Sequence, residues 1–185
     1  MLQNLPVLMI KKLVILPYQE VRIELNIELS KKIVDISEEK YDSKLLVICA
    51  NNTLDVSPTL KDLPTVGVFT KIKSKIELPN GNYRIVLVGL NRVKINNYRT
   101  LKEDNDIVEA NVKRIYVDHS DEKTNLALSR TLKDLLSKYI EINPTSSNSI
   151  ISTINNITDL DMLVDIITNF IPFDIRKRIE YMNTF

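Results

Sequence analysis

The sequence predicts an α+β protein: a β-rich, partly open barrel with one embedded helix, followed by a small helical bundle. Three observations carry that prediction. Runs rich in Val, Ile, Leu and Tyr fill the first part of the chain, and its three glycines, Gly67, Gly81 and Gly89, each stand beside one. Asn80-Gly81 lies between two such runs, and Asn-Gly is a strong hairpin signal because a type I′ turn needs positive φ at both central residues. From about Asp118 onward the apolar spacing changes from alternation to the helical period.

In order, Leu5-Pro6-Val7-Leu8-Met9-Ile10 opens the first strand, with Pro6 suited to a strand's first residue. Leu13-Val14-Ile15-Leu16-Pro17 continues it or starts a second, and Pro17 calls for an edge or a turn. Val21, Ile23, Leu25 and Ile27 alternate with polar residues as one apolar face. Ser30 is the expected N-cap of a helix from Lys31 to about Lys40, with Ile33, Val34 and Ile36 as its apolar stripe. Lys44 to Ala50 reads as a continuous strand, followed by a turn at Asn51-Asn52. Past the Asn80-Gly81 turn, Tyr83, Ile85 and Leu87 alternate with Arg84, Val86 and Val88. Both faces thus become apolar, as in a closed or double-layered sheet. Gly89 inside this run marks a bulge or a close backbone approach. The run resumes at Arg92, Val93 and Ile95, and polar residues 96–99 then lead into a charged loop at 102–106. Val108, Ala110, Val112 and on to Val117 form the last strand, so residues 1–117 are the expected β-rich domain.

Residues 118–185 are the expected helical part. Leu128, Leu132, Leu135, Leu136 and Tyr139 put one apolar stripe on a helix, which Pro144 ends. Ile150, Ile151, Ile154 and Ile157 make a short second helix. Thr158-Asp159-Leu160-Asp161 resembles a capping box ahead of Leu163, Ile166, Ile167 and Phe170. Pro172 ends that helix, and Asp174 caps another bearing Ile175, Ile179 and Met182.

Composition excludes several function classes. A 44% hydrophobic and 26% charged chain is an ordinary globular protein. Its net charge of +1 argues against a general nucleic-acid or anionic-membrane binder. No apolar run approaches the roughly 18 residues that cross a bilayer, and no signal peptide is expected. One cysteine, Cys49, rules out an internal disulfide. Its apolar neighbours make it a buried, inert thiol, and a cytoplasmic location is the simplest reading. The two Asn-x-Thr matches, at Asn51 and Asn156, are read as chance. There is no phosphate-cradling glycine loop, no G-x-S-x-G elbow and no H-E-x-x-H. One histidine, His119 at a polar junction, with one cysteine makes no zinc site. No catalytic, cofactor or metal residues are expected, and this segment by itself is not expected to be an enzyme.

Leu63-Pro64-Thr65-Val66-Gly67, Pro79-Asn80-Gly81 and Val88-Gly89-Leu90-Asn91-Arg92-Val93-Lys94-Ile95 resemble, in order and spacing, the amino-terminal domain of the Lon ATP-dependent proteases. The opening Leu5-Pro6-Val7-Leu8 and Leu13 to Pro17 is similar to the start of that family. However, Tyr18 stands where a glycine is usual and Lys11 where an arginine is. Leu163-Val164-Asp165 resembles an L-x-D triplet of the same family. The resemblance implies a PUA-like barrel and a longer parent, an ATP-dependent serine endopeptidase whose other domains use ATP and Mg. It implies as partners unfolded or damaged proteins, the parent's own ATPase and protease domains, and a homo-oligomer, the hexamer. The last helix has no glycine cap and is expected to continue past Phe185 in that parent.

For substrate contact the residues point to Leu13, Ile15, Pro17 and Tyr18, because Pro17 places this strand end at a rim where a tyrosine offers apolar area with a wet tip. The hairpin tip, with Leu78 and Tyr83, is a second candidate surface. The rival reading is a free-standing barrel module for a small ligand or RNA, with Lys71, Lys73 and Lys75 as a basic ridge. As the solvent face of an amphipathic strand opposite Ile72 and Ile76, those lysines need no ligand.

Overall fold

The computed structural model describes residues 2–50, 60, 63–102, 104, 106–117, 121–143 and 149–184. Strands β1 (Leu2–Lys11) and β2 (Glu20–Leu25) precede helix α1 (Glu28–Lys40). Strands β3 (Lys44–Ala50), β4 (Val66–Glu77), β5 (Tyr83–Thr100) and β6 (Val108–Arg114) follow. Helices α2 (Glu122–Ile142), α3 (Ser149–Asn155), α4 (Leu160–Phe170) and α5 (Ile175–Asn183) complete the chain. These form two compact units, Met1–Ile115 with Asp174–Phe185, and Tyr116–Phe173. The expected helical part therefore loses its last helix to the β-rich unit. The reason is packing: Ile175, Ile179 and Met182 of α5 cluster with Val14, Leu16 and Val68.

In the first unit the strands run β2-β5-β4-β3-β1-β6, and β6 returns to pair with β5. Five strands thereby close a ring, with β2 added outside on β5. The 18-residue length of β5 makes closure possible: Tyr83 to Val88 pair with β2, and Val93 to Thr100 pair with β6. Register shifts between Phe69 and Thr70, Ile72 and Ser74, and Ile95 and Asn97 supply the bends such a ring requires. β1 divides in the same way. Leu2 to Pro6 pair antiparallel with β6, and Val7 to Lys11 pair parallel with β3. Pro6 is thus not a strand's first residue; it sits mid-strand where the partner changes, a place that tolerates a missing N–H.

Leu5, Val7, Leu46, Ile48, Val93, Ile95, Ala110 and Val112, with Phe69 partly buried beside them, draw on all five ring strands and fill its interior. Leu8, Leu45, Val47, Ile72, Ile85 and Leu87 point the other way and are covered by Ile33 and Val34 of α1. Helix α1 begins at Glu28, earlier than expected, with Ile27 at the N-cap and no side-chain cap; Glu28 in the first turn pairs with Lys31 at 2.5 Å instead. The hairpin also differs from the expected type I′ turn. Gly81 N–H donates to the Leu78 carbonyl and Leu78 N–H to the Asn82 carbonyl, each at 2.8 Å, and of the turn residues only Gly81 has positive φ, at +78°. Pro79 holds the negative φ of a type I turn, so the left-handed residue follows it as a bulge.

In the second unit, Leu136, Ile140, Ile150, Ile154, Ile157, Leu163 and Ile167 form the core. The stripe expected on α2 is rotated. Leu132, Leu136 and Tyr139 do turn inward, but Ser129 and Ile140 complete that face while Leu128 and Leu135 are exposed. Lys133 Nζ donates to the carbonyls of Asn155 and Ile157, at 3.2 and 2.9 Å, tying α2 to the end of α3. Asp159, not Thr158, caps α4 by accepting from Met162 N–H at 2.7 Å; Asp174 caps α5 as expected, accepting from Lys177 N–H at 2.9 Å. Asp121 caps α2, accepting from the N–H groups of Lys123 and Thr124 and from the Thr124 hydroxyl.

The Thr124 hydroxyl foremost, and then the backbone N–H groups, hold the Asp121 carboxyl below the ordinary aspartate value. Because the folded value lies below the unfolded one, the cap's contribution is present above the ordinary aspartate range and is lost as pH falls through the folded value. Far-UV circular dichroism taken from about pH 6 down to about pH 2 is expected to lose helix in that acid window. Asp121→Asn, which can still cap, is expected to flatten the loss.

Candidate functional site

Two features of the first unit present apolar surface near its rim. The first is the turn that follows β1. Residues 12–19 form no strand; Val14, Ile15 and Leu16 are buried along the way. Pro17 is buried too, and Tyr18 emerges 42% exposed. Tyr18 has φ +59°, the left-handed region in which a Cβ-bearing residue is strained. Its N–H donates to the Gly89 carbonyl at 2.8 Å, while Gly89 N–H donates to the Gln19 carbonyl at 2.9 Å. The turn is therefore clamped to β5 at the one residue there without a side chain.

The second feature is a cleft of about 350 Å³ between α5 and the barrel wall. Ile179 and Met182 of α5 face Cys49, Pro64, Val66 and Val68 across it, with Val14 and Ile15 at its base. The segment before β4 is held in place by Tyr98, whose hydroxyl donates to the Pro64 carbonyl at 2.5 Å, and by Ile95 N–H, which donates to the Thr65 carbonyl at 2.8 Å. Burial pushes the Tyr98 hydroxyl above the ordinary tyrosine value, so it stays a donor. Burial likewise raises the Cys49 thiol, outweighing the backbone N–H groups of Leu13 and Lys12. The cleft thus offers flexible, polarizable and apolar side chains rather than a nucleophile.

The hairpin tip is occupied by its own contacts. Lys31 Nζ donates to the Gly81 carbonyl at 3.0 Å, and Lys31 and Lys75 lie 5.7 and 5.1 Å from the centre of the Tyr83 ring. Tyr83 Oη donates to Asp35 Oδ2 at 3.1 Å, and Lys75 pairs with Asp35 at 2.9 Å and with Glu38. Burial works against the Lys75 ammonium, but Glu38 and Asp35 outweigh it and hold its pKa above the ordinary lysine value. Two of the three lysines of the expected ridge are thus committed to carboxylates, because Lys73 pairs with Glu20 at 2.6 Å. A register shift between Ile72 and Ser74 also breaks their alternation.

A sequence model described as the ATP-dependent protease La (LON) substrate-binding domain matches residues 4–185. The chain belongs to this family. The Lon protease of Buchnera aphidicola (subspecies Baizongia pistaciae) is 27% identical over 182 residues, and Lon protease 1 of Bacillus subtilis is 24% identical over 183. Each match covers 98% of this chain but 23% of the relative, so the chain spans less than a quarter of their length. The solved N-terminal domain of Mycobacterium avium complex Lon protease shares the fold with a TM-score of 0.77 at 20% identity, covering 98% of this chain and 90% of that one. Of the Lon segments quoted from the sequence, Pro64 to Gly67 line the cleft, and Gly89 clamps the turn at Tyr18.

Of the six residues expected to meet substrate in this Lon domain, Ile15 is 2% exposed and Pro17 is also buried, so both are corrected to core. A proline marks an edge through its missing N–H, which says nothing about where its ring packs. Leu13, Leu78 and Tyr83 are half-buried, and Leu13 and Tyr83 pack on the α1-covered cluster. Tyr18 alone of the six is exposed. The cleft residues Cys49, Val66, Ile179 and Met182 were not foreseen as a group, since they come from distant parts of the chain. His119 lies outside the described residues. Among the described residues, no group of three His, Cys, Asp or Glu side chains is placed to hold a metal ion, and no helix is long and apolar enough to cross a membrane.

Proposed function

We propose that this chain is the substrate-capturing amino-terminal region of a cytoplasmic, ATP-dependent Lon-type serine protease. It holds unfolded or damaged proteins through apolar surface at the barrel rim and helps to organise a hexamer. ATP, Mg and the peptidase chemistry belong to the parent's other domains. Each apolar contact is weak, and a ring of subunits gives avidity without new contacts. The helical unit relays the captured chain toward the ATPase.

The observation that supports capture at the level of residues is Tyr18. A glycine would relieve the strain at φ +59°, yet the chain keeps a tyrosine there with 42% of its surface in water. Backbone strain retained around an exposed aromatic is expected where the side chain has work beyond folding. The cleft lined by Met182 and Ile179 adds adaptable apolar area on the same unit.

Tyr18→Gly separates the two roles by sign. The variant is expected to be more stable by about 1 kcal/mol, read as a higher urea midpoint. It is also expected to bind a reduced, carboxymethylated protein that stays unfolded roughly tenfold more weakly, read by fluorescence anisotropy. Unchanged affinity in the stabilised variant would remove this rim from the capture surface. Affinity that held through added salt would argue against the RNA-binding alternative, which predicts a steep loss.

A further inference from the structure

Resting on the capture of unfolded proteins read above, we propose that the outer edge of β2 takes an extended stretch of the captured chain as one more strand. β2 pairs with β5 and, among the described residues, with no other strand. Which of its backbone groups point outward follows from the alternation of an antiparallel ladder. Gly89 N–H donates to the Gln19 carbonyl, so every second residue onward, Val21, Ile23 and Leu25, bonds to β5. The other side of β5 gives the same phase. Ile72 turns its N–H away to the Ser43 carbonyl, so Leu87 opposite it sends its own groups to Val21. Glu20, Arg22 and Glu24 therefore turn their N–H and C=O groups to the open edge, and all three residues are exposed.

Proteins blunt an open edge with proline, lysine or a bulge, and β2 has no proline, no lysine and no register shift against β5. Its apolar residues, Val21, Ile23 and Leu25, lie half-buried on the cluster under α1. Exposed apolar side chains stand at both ends: Tyr18 just before the strand, and Ile27 just after it at 61% exposure. A segment of about six residues, roughly 20 Å long, reaches from one to the other. Strand addition takes its affinity from main-chain bonds, which every unfolded chain offers, and adds preference through alternate side chains.

Charge argues against a second copy of β2 as the occupant. Glu20 is held by Lys73 at 2.6 Å, and Glu24 by Asn82 at 2.8 Å and Arg84 at 3.4 Å. Arg22 has no ion pair among the described residues, so a second β2 would bring it no uncommitted carboxylate. An antiparallel copy centred on Arg22 would also set Arg22 against Arg22 and Glu20 against Glu24. A captured segment can place an acid beside Arg22 instead.

Hydrogen exchange of the full 185-residue chain, read by NMR, tests the edge directly. The probe is a peptide of about eight residues that alternates valine and threonine around one aspartate. The amides of Glu20, Arg22 and Glu24 are expected to exchange fast in the free chain and at least about tenfold more slowly with excess peptide. Of the two alternately N-methylated forms of the peptide, the one blocked on its bonding edge is expected to bind about tenfold more weakly, and the other to bind as before. Arg22→Pro removes an N–H that the fold does not use and is expected to weaken the peptide about tenfold with an unchanged circular dichroism spectrum. The peptides test the native chain whatever the proline does to the fold. Equal affinity of all three peptides would overturn strand addition. So would a mass that rose with concentration in the chain alone, which would give the edge to a second copy. If a reduced, carboxymethylated protein is held but the peptide slows none of the three amides, this proposal falls and capture stands. If neither is held, both fall.

Discussion

Alanine at position 89 is expected to destabilise the first unit by about 3 kcal/mol, read as a large drop in the urea midpoint. A Cβ there would fall 2.2 Å from the Leu16 carbonyl oxygen and 3.0 Å from its carbon. Both atoms are backbone, so no rotamer change can make room. Nor can the chains separate cheaply, because Gly89 exchanges hydrogen bonds with Tyr18 and Gln19. The other two glycines grade the effect. At Gly67 the added atom would meet Leu46 Cδ1 at 2.8 Å and Ile48 Cγ2 at 3.0 Å, which are side-chain ends, but also the Val47 carbonyl at 3.0 Å; a loss of about 1–2 kcal/mol follows. At Gly81 nothing lies within 4 Å, and only the φ of +78° is lost, about 1 kcal/mol. A loss at 89 no larger than at 67 or 81 would mean that the turn after β1 does not lie against β5 as described.

That close approach was legible before any coordinates, since a glycine inside an apolar strand has few other uses. The closure of the ring was not. Residues 96–100 of β5 alternate poorly, with Asn96, Asn97 and Arg99 in a row of four, because a register shift at this point breaks the period and one face meets solvent. A polar run of this kind reads as a loop unless its partner strand is known. Helix α5 failed differently. Its cap at Asp174 and its apolar spacing were plain, but periodicity names a face and not the surface it packs on, and that surface is Val14, Leu16 and Val68.

The candidate site divides along the same line. Tyr18 stood out because Pro17 marked this strand end as a rim, where a tyrosine offers apolar area with a wet tip, and the structure leaves it exposed. Ile15 and Pro17 came in through the same reading of Pro17 as a rim residue, and a missing N–H says nothing of burial. The cleft joins Cys49, Val66 and Met182, which no local pattern connects; the one signal was that Pro64 to Gly67 belong to a segment resembling a known family.

Glu109 shows how much a buried polar position can carry without any sequence signal. Alternation along β6 assigns it to the face opposite Ala110 and Val112, but does not reveal that this face is covered as well. It is 4% exposed, accepts from Tyr41 Oη at 2.7 Å and from Arg99 Nε at 2.6 Å, and lies where β5 and β6 close the ring. Removing it with Glu109→Ala is expected to cost about 3 kcal/mol, because the Tyr41 hydroxyl and part of Arg99 lose a charged acceptor. The Arg99 side chain is 59% exposed, so its head can return to water, and that limits the loss. Glu109→Met together with Tyr41→Phe is then expected to be more stable than Glu109→Ala alone, since an apolar pair leaves no orphaned hydroxyl. A double-mutant cycle in urea decides the matter. Coupling well above about 0.5 kcal/mol would show one cooperative seal at the seam, whereas additive losses would mean that Tyr41 and Arg99 hold the ring independently.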